Sequence, residues 1–247
     1  MKTRSPKIRI DLKVSIDGLP IEFSVDVPKG PTTPKRMLPV FRSACGTIVR
    51  AGIARVESIG REISCGPACG ACCRQMVPIA ATEASVIREL VEEMPDERRS
   101  AVRKRFADAV ARLDSAGLLD RFRSEPQPTG PEYRELGLEY FHLGIPCPFL
   151  ENESCSIHPD RPLVCREYLV VSPPENCQRT NEQPIEVVRM PLEASKALAA
   201  LGGENSDNWT PLTMVLDQPE TVTRPAPGTK IATQFFSNLT HTNLGKG

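Results

Sequence analysis

The chain has 247 residues, of which 40% are apolar and 25% charged, enough to bury one large core or two small ones. Its 31 basic and 31 acidic side chains cancel, which argues against a global basic field for nucleic acid or anionic lipid. One Trp, three Tyr and eight Phe leave little surface for stacking on bases. No stretch approaches the ~18 consecutive apolar residues of a membrane span. The opening residues Met1–Pro6 run into an alternating strand with no apolar leader, so a cytoplasmic, membrane-free protein is expected.

Residues 7–28 alternate apolar and polar about Asp17-Gly18, a dipeptide suited to a two-residue hairpin turn. That turn pairs Ile16 with Leu19, Val14 with Ile21, Leu12 with Phe23, Ile10 with Val25 and Ile8 with Val27, all on one face. The other face sets Lys13 against Glu22 and Arg9 against Asp26. Because a lone hairpin is marginal in water, its apolar face is expected to cover something.

Apolar residues then recur at three- and four-residue spacing from Leu38 to Ile63, which predicts a helix over 36–62 with Cys45 on its buried stripe. A second helix is expected from a Thr82 cap to Met94, stopped by Pro95. A third runs from Asp96 to a Gly117 cap. The outer side of the third (Arg98, Arg99, Arg103, Lys104, Arg105, Arg112) is basic but interleaved with acids, and reads as a solvated face. Residues 124–131 read as a linker, 132–141 as a short helix, 185–190 as a strand and 191–201 as a helix entered at proline. Beyond Gly203 the pattern fades into a Pro- and Thr-rich segment, with a short helix near 230–239.

Nine cysteines in a reducing compartment, odd in number and with Cys72 and Cys73 adjacent, point to metal ligation rather than a disulfide framework. Eight fall in two groups. The first is Cys65-Gly-Pro-Ala-Cys69-Gly-Ala-Cys72-Cys73. The second is Cys147-Pro-Phe-Leu, Cys155-Ser-Ile-His158, Arg161-Pro-Leu-Val-Cys165-Arg166 and then Cys177. Glycine lets the first knot fold its sulfurs together, and Pro146, Pro148, Pro159 and Pro162 stiffen the second, lowering the entropy lost on assembly. Neighbouring thiolates repel, so Arg74, Arg161 and Arg166 are candidates to offset their charge. Adjacent Cys72 and Cys73 point apart on most backbones: either one is not a ligand or two ions share the knot.

The ordered combination of the knot, C-P-F-L and C-S-I-H-x-x-R-P-L-V-C-R resembles the YkgJ-type cysteine-cluster family, described as zinc- or iron-chelating domains, over about residues 65–177. The family signature is often written with two residues between its first cysteines, whereas three separate Cys65 from Cys69. The family is similar to the cysteine-rich part of flagellin lysine N-methylase. That resemblance implies an iron–sulfur centre and S-adenosylmethionine-dependent methyl transfer on a protein or small molecule. The Cys65, Cys69, Cys72 spacing also mimics the radical S-adenosylmethionine triad. Ala71 stands where that triad usually has an aromatic, and no β/α barrel pattern surrounds it. Paired C-x2-C knuckles, which would favour zinc, are absent. Thiolate-only ligation and the proline after Cys147 favour a 4Fe-4S cluster, though ligand softness permits zinc.

These readings predict an α+β protein, mainly helical, with a β-hairpin and linker at 1–35. A cysteine-cluster metal-binding domain follows at 36–201 and a Pro/Thr-rich segment at 202–247. Two functions stay open: a redox or structural metal module, and an enzyme working beside the centre.

Overall fold

The computed structural model describes residues 6–16, 18–66, 68–124, 127–179, 183–202, 209–219 and 223–244. Asp17 of the expected turn, Pro67 of the first knot, residues 125–126 of the linker and 203–208, 220–222 and 245–247 of the C-terminal segment lie outside these. Residues 1–5 and 180–182 do too.

Strands β1 (Lys7–Ile16) and β2 (Leu19–Pro28) form the expected antiparallel hairpin, in the expected register from Ile16↔Leu19 to Ile8↔Val27. Gly18 takes φ +78°, the left-handed conformation that such a turn requires. On the outer face Arg9 meets Asp26 at 3.0 Å and Lys13 meets Glu22 at 2.6 Å, exposed pairs that help register more than stability. On the inner face Ile21, Phe23, Val25 and Val27 of β2 are fully covered.

After the two-residue β3 (Pro31–Thr32), helix α1 (Pro34–Ser58) starts with Pro34 in its first turn, and the Thr33 hydroxyl accepts the Arg36 N–H. It buries Met37, Leu38, Phe41, Cys45 and Ile48. It ends short of residue 62, where Ile59 is 70% exposed and finds nothing to pack on. Next come β4 (Pro78–Ala80), α2 (Ala81–Glu92), α3 (Asp96–Ser115), α4 (Leu119–Arg123), which the sequence pattern did not announce, and α5 (Gly130–His142). A small hairpin, β5 (Leu150–Glu151) with β6 (Ser154–Cys155), precedes α6 (Leu163–Glu167) and α7 (Ala194–Ala199). The strand expected at 185–190 reduces to a single bridge between Val170 and Val187. The segment after 203 is more structured than expected. Strand β7 (Trp209–Pro211) pairs with β4, β8 (Ala226–Pro227) pairs with β3, and α8 (Gly228–Leu244) closes the chain.

One core joins β2, α1, α7 and α8, with Phe41 stacked on Phe235 at 4.4 Å and Phe23 against Phe236 at 5.4 Å. The hairpin thus covers α1 and the C-terminal helix. A second core lies between α2 and α3 and takes in Phe149, Ile157, Leu212 and Val215; a third gathers α4, α5 and the end of α3 around Met214. The outer cations of α3 are engaged within the molecule. Arg99 pairs with Asp96, Arg103 with Glu92, Lys104 with Asp108 and Arg105 with Glu151, while Arg98 and Arg112 reach the carbonyls of Ser156 and Leu143. No helix among the described residues is long and apolar enough to cross a membrane.

Candidate metal centre

The first knot is a tight turn followed by a single 3-10 turn. The Cys69 amide donates to the Gly66 carbonyl at 3.3 Å, and Ala68 sits at φ +60°, a left-handed conformation an alanine adopts only under local constraint. Residues Ala71–Arg74 then form the 3-10 turn that carries Cys72 and Cys73. With three residues per turn, consecutive side chains diverge by about a third of a rotation. The Cys73 thiol donates to the Cys72 sulfur. That bond is the chief reason the Cys72 thiol is lowered and the Cys73 thiol raised from their ordinary values.

Cys65 is fixed by Val170. The Ser64 amide donates to the Val170 carbonyl at 2.9 Å, and the Val170 amide donates to the Cys65 sulfur at 3.4 Å. Cys177 lies on a second 3-10 turn, Pro174–Gln178, packed on the first. The Gln75 amide side chain holds the Cys177 carbonyl at 3.1 Å, and the Tyr168 hydroxyl bonds both Gln75 and the Cys177 thiol. Cys65, Cys69, Cys72 and Cys177 pack together with Ala71, Val170 and Tyr168.

The second group is built on β5, β6 and α6. The Cys147 amide donates to the Cys73 carbonyl at 2.7 Å. The amide two residues on donates to the cysteine sulfur in two places, Phe149 to Cys147 and Ile157 to Cys155. Asn152 and Glu153 both take positive φ at the tip of the β5–β6 turn. The turn lies so close to the knot that a Cβ on Gly70 would stand 2.6 Å from the Glu153 carbonyl oxygen, so only glycine fits there. Cys165 is carried by α6, whose first amide, Leu163, donates to the buried Glu83 carboxylate at 2.7 Å. At its other end Glu167 accepts the Ala194 and Ser195 amides and the Ser195 hydroxyl, capping α7. Burial raises both carboxyls to about 7. Cys147 and Cys165 are half-exposed as side chains, yet their sulfurs are desolvated: the Cys147 thiol is pushed up to about 12 and that of Cys165 well above its ordinary value.

All eight clustered cysteines therefore lie in one region, and Cys45 does not. It is fully buried in the α1 core, with its sulfur 4.0 Å from the Leu163 carbonyl. The three candidate arginines differ. Arg74 forms a two-pronged pair with Glu153, at 2.6 and 3.0 Å, on the outer side of the knot. Arg166 straps its own loop, donating to the carbonyls of Arg161 and Pro159. Arg161 faces the sulfurs, its charge favouring the thiolates of Cys65, Cys72 and Cys155. Its Nε is buried and has no hydrogen-bond partner among the described residues. His158 is exposed beside Arg161, which lowers its pKa. Sequence reading singled out His158, Glu167 and Tyr168 as the polar side chains near the cysteines, but had no signal for Glu83, which holds α6 from α2, or for Gln75, which holds the Cys177 carbonyl.

Among the described residues no three His, Cys, Asp or Glu side chains already stand as the ligand set of a metal ion. The chemistry of the donor set nonetheless suits one: soft sulfurs in a cluster, amide donors to three of them, and the half-buried Arg161 beside three of the thiols.

No curated protein and no solved structure matches the chain. A family model described as "CxxCxxCC: Putative zinc- or iron-chelating domain" matches residues 64–186, the span that holds every clustered cysteine and the elements that position them. Through those residues the chain belongs to the CxxCxxCC family of zinc- or iron-chelating domains and is a metal-binding cysteine-cluster protein.

Proposed function

We propose that the clustered cysteines hold an iron–sulfur centre with a redox or structural role in a reducing, cytoplasmic setting. The observation that carries this reading is that two distant segments bring their cysteines side by side, with the Cys147 amide on the Cys73 carbonyl and Arg161 beside Cys65, Cys72 and Cys155. An all-sulfur donor set suits iron–sulfur chemistry, as does the amide-to-sulfur hydrogen bonding that tunes cluster potentials. Such a centre supplies one-electron transfer or a covalent clamp between the two segments. Protein purified without oxygen should be brown and contain iron and acid-labile sulfide. A colourless protein with stoichiometric zinc would overturn the iron–sulfur assignment.

An enzymatic reading is favoured by a cavity of about 990 Å³ behind α6, bordered by Tyr133, Val164, Glu167, Tyr168, Arg189 and Trp209 among others. This volume suits a small molecule. Tyr168 forms part of the wall and also bonds the Cys177 thiol, so a ligand there would lie one side chain from the centre. Anaerobic calorimetry with S-adenosylmethionine tests the methyl-transfer version; no heat at millimolar ligand removes it.

A further inference from the structure

We infer that the open edge of β1 pairs with the β1 edge of a second copy of this chain, joining the two hairpins into one antiparallel sheet about a twofold axis at Leu12.

Strand β1 has a partner on one side only. Among the described residues β2 is the single strand paired with it, and no other element bonds to its backbone. The phase of that pairing is fixed where the Lys29 amide donates to the Pro6 carbonyl at 2.9 Å, just beyond the Lys7↔Pro28 pair. Bonding alternates along an antiparallel ladder. The even-numbered residues of β1 therefore bond to β2, and the amides and carbonyls of Arg9, Asp11, Lys13 and Ser15 face outward. The strand runs from Lys7 to Ile16 without a proline or a bulge, so of the devices that usually close a sheet edge only charge is present.

The side chains along this edge are uncovered to match. On β2 the inward Ile21, Phe23, Val25 and Val27 are fully covered. On β1 the equivalent Ile10, Leu12, Val14 and Ile16 stay partly exposed, and Ile8 is 40% exposed. A strand added outside β1 would cover all five.

Charge selects both the occupant and the register. A twofold axis perpendicular to the sheet makes the two β1 strands antiparallel and keeps their apolar faces on one side. Outward-facing groups must meet, so odd-numbered residues lie opposite odd-numbered residues. Centring the axis on Arg9, Asp11 or Lys13 sets a charge against its own copy. Centring it on Ile10 sets Lys7 against Lys13, and centring it on Val14 pairs only Leu12–Ile16 with no opposite charges. Centring it on Leu12 sets Asp11 against Lys13 twice, Arg9 against Ser15, and Ile8 against Ile16, Ile10 against Val14 and Leu12 against Leu12. Asp11 suits this role. Within its own hairpin it lies opposite Ser24, whereas Arg9 and Lys13 have Asp26 and Glu22 across the strand.

The test is sedimentation velocity of the full chain in reductant, over a range of concentrations, for the wild type, Asp11→Lys and Lys13→Asp. The wild type should sediment as a dimer. Each variant sets like charges opposite each other at two symmetry-related points and should raise the dissociation constant by about tenfold or more. An equimolar mixture of the two variants restores opposite charges at both points, so it should dimerise where neither does alone. Circular dichroism checks that each chain is folded. If Lys13→Asp does not fold because it now faces Glu22, adding Glu22→Lys restores the pair within the hairpin, and the mixture is repeated with that chain. A wild type that stays monomeric at about 0.1 mM would overturn the inference. So would a dimer that neither substitution weakens, or a mixture no more associated than its components.

Discussion

The amide of Cys147 donates to the carbonyl of Cys73 at 2.7 Å, so the two halves of the cysteine motif are joined backbone to backbone. This bond brings Cys147 beside the knot, and the β5–β6 turn that follows lies across Gly70. The metal region is thus a docked interface between two segments, and its weakest tolerance should be where backbone meets backbone.

Gly70→Ala tests that docking. The new methyl would stand 2.6 Å from both the Glu153 carbonyl oxygen and Leu150 Cδ1, and a carbonyl held in a tight turn cannot rotate aside. Overpacking of this kind costs about 1–3 kcal/mol. Gly66→Ala is the control, because a Cβ there meets nothing within 4 Å. The first variant should unfold at lower urea and lose metal to a chelator faster than the second. Equal behaviour of the two would mean that the turn does not dock as described.

Cys45→Ala should leave the metal content unchanged. Its sulfur lies in the α1 core against the Leu163 carbonyl, apart from the clustered thiols. The expected cost is the small cavity left by one sulfur, about 1 kcal/mol. Phe235→Ala, in the same core, should cost about 3–5 kcal/mol because it removes the ring stacked on Phe41. Equilibrium unfolding separates the two, and metal analysis of Cys45→Ala checks that the ninth cysteine is not a ligand.

The hairpin was legible in full because alternation, turn chemistry and cross-strand charge all specify one register, from Ile16↔Leu19 to Ile8↔Val27. The buried stripe of α1 was legible for the same reason, through its three- and four-residue spacing. The cysteine motif was legible as a set, but its packing was not: Cys177, last of the cysteines, packs with the first knot, and the Cys73 carbonyl takes the Cys147 amide, contacts that spacing does not encode. Strands β4 and β7, three residues each, are too short to show a period. Nothing local therefore announced that Trp209–Pro211 returns to pair with Pro78–Ala80 and carries Leu212, Met214 and Val215 into buried positions. The arginines were equal as sequence. Only the fold shows Glu153 occupying Arg74 while the buried Arg161 Nε has no partner among the described residues.

Glu83 makes stability depend on pH. Burial raises its carboxyl from the ordinary 4.5 to about 7 in the folded chain. Between these values the unfolded state has lost the proton while the folded state keeps it, so stability falls as pH rises from about 4.5 to about 7 and is flat above. Glu83→Gln keeps an acceptor for the Leu163 amide and cannot ionise. It should therefore raise stability at pH 8 by up to ~3 kcal/mol while changing little at pH 4. Urea midpoints at the two pH values check this. Glu167, whose carboxyl is raised likewise, contributes a slope of the same sign that survives in the variant. A variant no more stable than wild type at pH 8 would mean that Glu83 is ionised at little cost, with the Leu163 and Ala80 amides and nearby Arg42 outweighing burial.

Arg161→Gln should shift the reduction potential of an iron–sulfur centre downward, because the guanidinium is the cation that faces sulfurs of both groups. Adding an electron to a thiolate-bound cluster increases negative charge, and a nearby cation favours that state. At protein-like screening and a separation of several ångströms the effect is on the order of 50–100 mV. Arg74→Gln is the comparison. Its guanidinium is held by both oxygens of Glu153, so the pair is close to neutral as seen from the sulfurs. It should move the potential by much less, while loosening the β5–β6 turn and lowering thermal stability. Anaerobic potentiometric titration of both variants, followed by visible absorbance, separates charge from packing. If Arg161→Gln left the potential in place and only lowered stability, the arginine would be a packing element of the loop. Equal shifts from the two variants would instead mean that Glu153 does not neutralise Arg74.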